Sequence, residues 1–212
     1  AYYVKTAFQP EFEYEDAMRL AKELGAEVKV LRLEALSDEK VAANPANRCY
    51  YCKQNIFGNI WRAARDDGFT VLLDGTNASD QVADRPGMQA LRELEVRSPL
   101  REAGLTKAMI REKSKEAGLF TWDKPAYACL ATRIPTGRTI TYEDLARTEW
   151  AESQLMAMGF TDLRVRLLGD CARVQLPEAQ QAEFLAQKQT ILNLLKPRYS
   201  GVLLDLEARN GQ

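Results

Sequence analysis

RCYYCKQNIFGNIWRAARDDGFTVLLDGTN, residues 48–77, decides how the chain is to be folded. From Arg48 to Asp66 the apolar residues Ile56, Ile60 and Ala63 recur on one face of a helix. Residues 69–73 then form an apolar run of strand length, and Asp74-Gly75-Thr76-Asn77 turns the chain. Upstream the same order occurs once already. Residues 10–24 carry Phe12, Ala17, Ala21 and Leu24 near helical spacing and stop at Gly25, and residues 27–33 alternate Val28, Val30 and Leu31 with charges as a strand does. Helix, strand, helix, strand in succession implies a parallel sheet and an α/β fold.

Beyond residue 77 the pattern loosens. Residues 78–104 are mixed and charged, Thr106 caps a helix that ends at Gly118, and a long loop runs over residues 120–138. A second pattern follows. Thr141 opens a helix through Leu145, Ala151, Leu155 and Met158; residues 163–168 and 172–176 read as strands, 179–195 as a helix and 202–206 as a last strand. This is a compact αββαβ module, so two domains are expected, 1–137 and 138–212, with the boundary near Gly137.

Composition narrows the chemistry. The 212 residues carry 29 basic and 30 acidic side chains, a net charge of -1, which offers no global field to draw the chain to nucleic acid or an anionic membrane. Histidine is absent, which excludes His general bases, Ser/His/Asp and Cys/His nucleophile systems and every His-containing metal site. With no membrane-length apolar run and no signal-peptide pattern in the first fifteen residues, a soluble, cytoplasmic protein is expected. Four cysteines, at 49, 52, 129 and 171, are too few and too unevenly placed for a secreted disulfide framework.

Three places concentrate the chemistry. Cys49 and Cys52 stand at C-x2-C spacing at a helix start, where the dipole and Lys53 favour thiolates. Cys129 lies in the loop Tyr127-Ala128-Cys129-Leu130-Ala131-Thr132-Arg133. Three thiolates suit an iron-sulfur cluster with one open iron; structural zinc, which wants four ligands, and inert or redox-paired thiols are the alternatives. Cys171 reads as a small buried hydrophobe. Second, Asp74, Gly75, Thr76 and Asn77, followed by Asp80, Asp84 and Arg85, place polar groups past a strand end, where α/β sheets bind ligands, although a turn that only satisfies its own backbone explains the same residues. Third, Arg164 and Arg166 alternate on a strand so that both guanidinium groups emerge on one face, either as a phosphate clamp or as a solvated face.

The series Arg48-Cys-Tyr-Tyr-Cys-Lys53, Asp74-Gly-Thr-Asn77 with Asp84-Arg-Pro-Gly87, Ser98-Pro-Leu100, Lys124-Pro-Ala126, Cys129-Leu-Ala-Thr-Arg133 and Arg164-Val-Arg166 resembles, over nearly the whole chain, the LarE family of ATP-dependent sulfur transferases in the PP-loop ATP pyrophosphatase superfamily. The resemblance implies a Rossmann-like PP-loop domain of the adenine nucleotide alpha hydrolase type, followed by a small C-terminal domain. It implies an enzyme of nickel-pincer cofactor biosynthesis that uses ATP with magnesium to adenylate a pyridinium-3,5-biscarboxylic acid mononucleotide and replaces the activated oxygen with sulfur. The family has a version that sacrifices a cysteine and a version with a 4Fe-4S cluster on three cysteines; the three-cysteine pattern matches the second, with Cys49, Cys52 and Cys129 as ligands. Phosphate-binding arginines of the family fall on Arg164 and Arg166, an acidic residue near Glu183, and the nucleotide-binding set on Asp74, Gly75, Thr76, Asn77 and Arg133. Homo-oligomers, hexamers in this family, are implied, with a small nucleotide as partner and neither membrane nor nucleic acid. A PP-loop enzyme that thiolates tRNA and a zinc-stabilised binding module, with Cys171 as fourth ligand, are the rival readings.

One departure stands out. The superfamily's Ser-Gly-Gly-x-Asp-Ser loop, whose amides cradle pyrophosphate at a helix N-terminus, does not occur in residues 1–212, and the first residues align with the family's second strand. The fold's first βα unit is therefore expected upstream of Ala1, the alternative being a variant that does not use ATP as the family does, and the 212-residue polypeptide alone is expected to release no pyrophosphate from ATP.

Overall fold

The computed structural model describes residues 1–80 and 86–209, and Asp84 and Arg85 lie outside the described residues. The chain forms two compact units, one of Ala1–Thr6 and Phe12–Lys124, the other of Ala7–Glu11 and Pro125–Gln212.

In the first unit β1 (Tyr2–Lys5) pairs in parallel with β2 (Lys29–Arg32), the register running from Tyr2↔Lys29 to Lys5↔Arg32. Parallel strands need a crossover, and α1 (Glu11–Glu23) supplies it. A short helix α2 (Glu39–Ala42), capped by the Asp38 side chain, leads to α3 (Arg48–Asp66), the long helix read from the opening stretch. Then come α4 (Pro86–Glu93), α5 (Pro99–Glu102) and α6 (Lys107–Glu116), the last capped by Thr106 Oγ1, which accepts from Met109 N. The apolar faces of α3 and α4 meet through Ile60, Ala64, Ala90 and Leu91, all buried.

Residues 69–73 do not form a full strand. Only an isolated parallel bridge, Leu73↔Arg97, is present, and Phe69, Val71 and Leu73 are 57, 54 and 57 % exposed while Leu72 is buried. Thr70 is exposed as well, so Leu72 alone is buried, and the backbone has a single bridging partner among the described residues.

The second unit is α7 (Tyr142–Ala157), β3 (Arg164–Leu168), β4 (Cys171–Gln175), α8 (Glu178–Ala186), α9 (Lys188–Leu195) and β5 (Val202–Leu204), so the expected αββαβ order is present with its second helix broken at Gln187. The sheet runs β3-β4-β5, with β3 and β4 antiparallel and β4 and β5 parallel. Leu145, Ala151 and Leu155 of α7 are buried, as are Val165, Leu167, Ala172 and Val174 of the strands and Phe184, Ile191 and Leu195 of the following helices. Thr141 caps α7 by accepting from Asp144 N at 3.1 Å. The 3₁₀ turn Leu130–Arg133, next to Cys129, belongs to this unit.

Candidate functional site

The first unit presents the paired cysteines. Cys49 and Cys52 occupy the opening turn of α3, one exposed and the other half-buried, and none of the four cysteines is in a disulfide. Residues three apart on a helix share a face, so one turn offers both thiols to one partner. The turn is fixed from below by Arg48, which is buried: its guanidinium donates to Asn44 Oδ1 at 2.6 Å and lies 3.9 Å from Cys49 Sγ. Asn44 holds a left-handed backbone, φ 53°, that turns α2 into this approach.

A second cation comes from Lys53. Burial lowers its pKa below the ordinary lysine value, and the electrostatic influence of Asp74, Cys49, Asp80 and Cys52 acts in the opposite direction. Its stem runs across Gly87 at the start of α4, where an added Cβ would lie 3.1 Å from Lys53 Cδ and 3.2 Å from Cε. Glycine thus lets the lysine stem lie close without being displaced by a few tenths of an ångström, and backbone freedom is not the reason for it. Glu93 at the far end of α4 accepts from Tyr50, Gln54 and Gln89 at 2.6, 2.7 and 2.7 Å, clasping α4 to the cysteine helix.

The Asp74 loop satisfies itself. Asp74 accepts from Thr76 N at 3.2 Å, Thr76 Oγ1 at 2.6 Å and Ser98 Oγ at 2.6 Å, Asn77 Oδ1 accepts from Ser79 N at 2.9 Å, and Asp80 Oδ2 accepts from Asn77 N at 2.9 Å. These bonds are those of an Asx-type turn, and Gly75 has open space where a Cβ would stand.

In the second unit the loop carrying Cys129 is held by a carboxylate that sequence reasoning missed. Glu152 of α7 is 1 % exposed and accepts from Arg133 at 2.7 and 3.0 Å, from Val165 N at 2.7 Å and from the Tyr127 hydroxyl. Every oxygen of that carboxylate is engaged, which is the condition for burying a charge without a large penalty. Burial alone would lower the Arg133 pKa, but Glu152 outweighs it and holds it above the ordinary arginine value. Burial and then the Glu152 charge push the Tyr127 hydroxyl far up, so it stays protonated and donates. A signal was present: Glu152 sits between Ala151 and Leu155 on the apolar stripe of its helix, where a solvated glutamate has no place.

Arg164 and Arg166 do emerge on one face of β3, yet that face is covered at Arg164, which is 3 % exposed. Arg164 donates to the carbonyls of Leu163 and Ala126 and lies over the Tyr127 ring, 4.7 Å from its centroid. Arg166 donates to the carbonyl of Thr132 and, at 2.7 Å, to Gln175 Oε1. Both guanidinium groups thus brace the cysteine loop. Burial, then the charges of Arg133 and Arg209, push Arg164 down to about 10; burial, then Arg133, Arg173 and Arg209, lower Arg166 as well. Cys171 is half-buried, 3.4 Å from Ser200 Oγ. Within each unit, no group of three or more acidic or cysteine side chains among the described residues is arranged to hold a metal ion.

Comparison with known proteins decides the family. No family model matches the chain. It is 37 % identical over 197 residues to the pyridinium-3,5-bisthiocarboxylic acid mononucleotide synthase of Lactiplantibacillus plantarum, covering 92 % of this chain and 71 % of that protein. The chain belongs to the LarE family of sulfur transferases. An uncharacterized protein of Synechocystis sp. is 37 % identical over 182 residues, 86 % of this chain and 68 % of its own length. Another, of Methanocaldococcus jannaschii, is 29 % identical over 206 residues, 97 % of this chain and 79 % of its own length. As a member of the family the chain is an α/β enzyme of PP-loop-like fold. Among the described residues no helix is long and apolar enough to cross a membrane.

Proposed function

We propose that this enzyme transfers sulfur, at the cost of ATP, to a pyridinium-3,5-biscarboxylic acid mononucleotide in nickel-pincer cofactor biosynthesis. A carboxylate is a poor site for substitution because oxide is a poor leaving group. Attack of the carboxylate oxygen on the α-phosphorus of ATP releases pyrophosphate, and the resulting acyl adenylate loses AMP when sulfur bonds to its carbonyl carbon. The name of the Lactiplantibacillus relative supports the sulfur-bearing mononucleotide product. ATP and magnesium enter by the family reading, with Asp74, Gly75, Thr76, Asn77 and Arg133 as the nucleotide-side residues and domains of 1–137 and 138–212. The mononucleotide phosphate is assigned to the arginine face opened by Arg164 and Arg166.

The observation that carries the choice of sulfur chemistry is the pair of thiols on the first turn of α3, outside any disulfide and flanked by Arg48 and Lys53. The donor set fits a 4Fe-4S cluster: soft thiolates and no histidine in the chain. Cys49, Cys52 and Cys129 would hold it, and when bound it supplies an iron without a protein ligand that can carry a sulfide for transfer. Arg48 and Lys53 offset the negative charge gathered at Cys49 and Cys52, and the Glu152 hub orients the loop of Cys129.

The test is direct. Protein prepared without oxygen is expected to contain iron and acid-labile sulfide and to absorb broadly at about 400 nm. Replacing Cys49, Cys52 or Cys129 with Ala should remove the colour, whereas Cys171→Ala should keep it. Colour that survives Cys129→Ala, or zinc in place of iron, would overturn the cluster reading.

A further inference from the structure

Charge on the sheet face of the second unit does not balance from within. Arg133 pairs with Glu152 at 2.7 Å, Arg209 with Asp162 at 2.8 Å and Arg173 with Asp205 at 3.2 Å. Arg164 reaches Asp162 only at 3.8 Å, a carboxylate already engaged by Arg209, and Arg166 is in no ion pair among the described residues. Five guanidinium groups thus stand against three carboxylates, and the two without a carboxylate of their own are lowered in pKa by burial first and then by the charges of neighbouring arginines. The excess matches the charge of a phosphate monoester, about −1.5 to −2 near neutral pH.

Register shows which side chains can reach such an ion. Arg166 and Arg173 are directly opposite across β3 and β4 and therefore project from the same face, an arrangement of like charges that destabilises an antiparallel pair unless something lies between them. They are braced in place: Gln175 accepts from Arg166 Nε at 2.7 Å and donates to Asp205 Oδ2 at 2.7 Å, and the same Asp205 oxygen lies 3.2 Å from Arg173 Nε. That last contact lacks a hydrogen bond's alignment, so Arg173 Nε is a buried donor without an acceptor although its side chain is 41 % exposed. Arg164, by contrast, is buried, with its terminal nitrogens on Leu163 and Ala126 carbonyls.

We propose that the phosphate clamp of this face is Arg166 with Arg173, across the two strands, and that Arg164 contributes charge without contact; the ligand is a phosphate monoester dianion. The inference rests on the proposed assignment of this face to the substrate phosphate. It is tested by calorimetric titration of the full chain with nicotinate mononucleotide, a pyridinium nucleotide ending in a monoester, and with its phosphate-free riboside as control. Arg173→Gln should weaken mononucleotide binding about tenfold, the loss of one charge-assisted hydrogen bond. Arg173→Lys should recover part of the loss by restoring charge without the fork, and the riboside affinity should not change. Arg164→Gln, checked for folding by its melting temperature, should cost less affinity than Arg173→Gln. If Arg166→Gln weakens binding and Arg173→Gln does not, or if Arg164→Gln costs more than Arg173→Gln in a folded protein, the cross-strand clamp is wrong while the phosphate face survives. If neither Arg166→Gln nor Arg173→Gln changes affinity, the phosphate assignment itself fails.

Discussion

The two cysteine-bearing segments are built in opposite ways. Cys49 and Cys52 ride on a turn assembled almost wholly from neighbours in sequence, with Arg48 and Lys53 at their sides and an exposed thiol at the surface. The loop of Cys129 is held by residues far away in the chain, Glu152 on Arg133, Arg166 on the Thr132 carbonyl and Arg164 on the Ala126 carbonyl, and its central ion pair is buried. A turn of the first kind can lose an exposed side chain without disturbing its fold, because water replaces what is removed. A hub of the second kind cannot, because each partner left behind is a buried charge or an unmet donor.

The largest effect expected from this contrast is at Glu152. Its replacement by Ala leaves Arg133 buried and uncompensated and takes the acceptor from Tyr127 and Val165 N, so urea denaturation of protein prepared without iron should find the second unit less stable by about 3–5 kcal/mol. Glu152→Gln, which retains one oxygen, should cost less. A loss under about 1 kcal/mol, the scale of an exposed pair, would remove the distinction between the two regions.

A smaller effect separates the hub from the helix that carries it. Thr141→Ala removes the cap of α7 and should cost about 1 kcal/mol. It should leave the alkylation rate of Cys129 unchanged, as followed by mass spectrometry, whereas Glu152→Gln should change it. Equal rates in the two variants would mean that Glu152 stabilises the helix packing without orienting the loop.

The same contrast explains what was legible in the sequence. Local signals carried far: α3 begins and ends where its apolar spacing indicates, and Thr106 and Thr141 cap the helices they precede. The C-x2-C turn is local and was found. The pattern of residues 69–73 alone is that of a strand, but a strand is completed by a partner, and only Arg97 bridges to it among the described residues. Glu152, Tyr127, Arg173 and Gln175 escaped because their roles come from contacts across thirteen to thirty-two residues, including Glu152 with Val165 and Arg173 with Asp205. The change of pattern near Gly137 and the division by packing at Lys124 differ by the cysteine loop, which the arginines of β3 draw into the second unit.

The smallest stability effect is expected at Lys53, where function and folding should part. Burial holds its ammonium below the ordinary value of 10.5. A base with a lowered pKa in the folded state costs stability while it is protonated, and the cost is relieved as pH rises through that lowered value. Lys53→Met keeps the apolar stem against Gly87 and removes the charge, so protein prepared without iron should be no less stable at pH 7, within about 0.5 kcal/mol. Its advantage over the parent should shrink as pH climbs toward 10.5. Iron content after anaerobic preparation should nevertheless fall, because the thiolates of Cys49 and Cys52 lose a neighbouring cation. A loss of stability above about 1 kcal/mol would place Lys53 among groups that hold the fold, as Glu152 does, and the first unit's site would then be no more local than the second's.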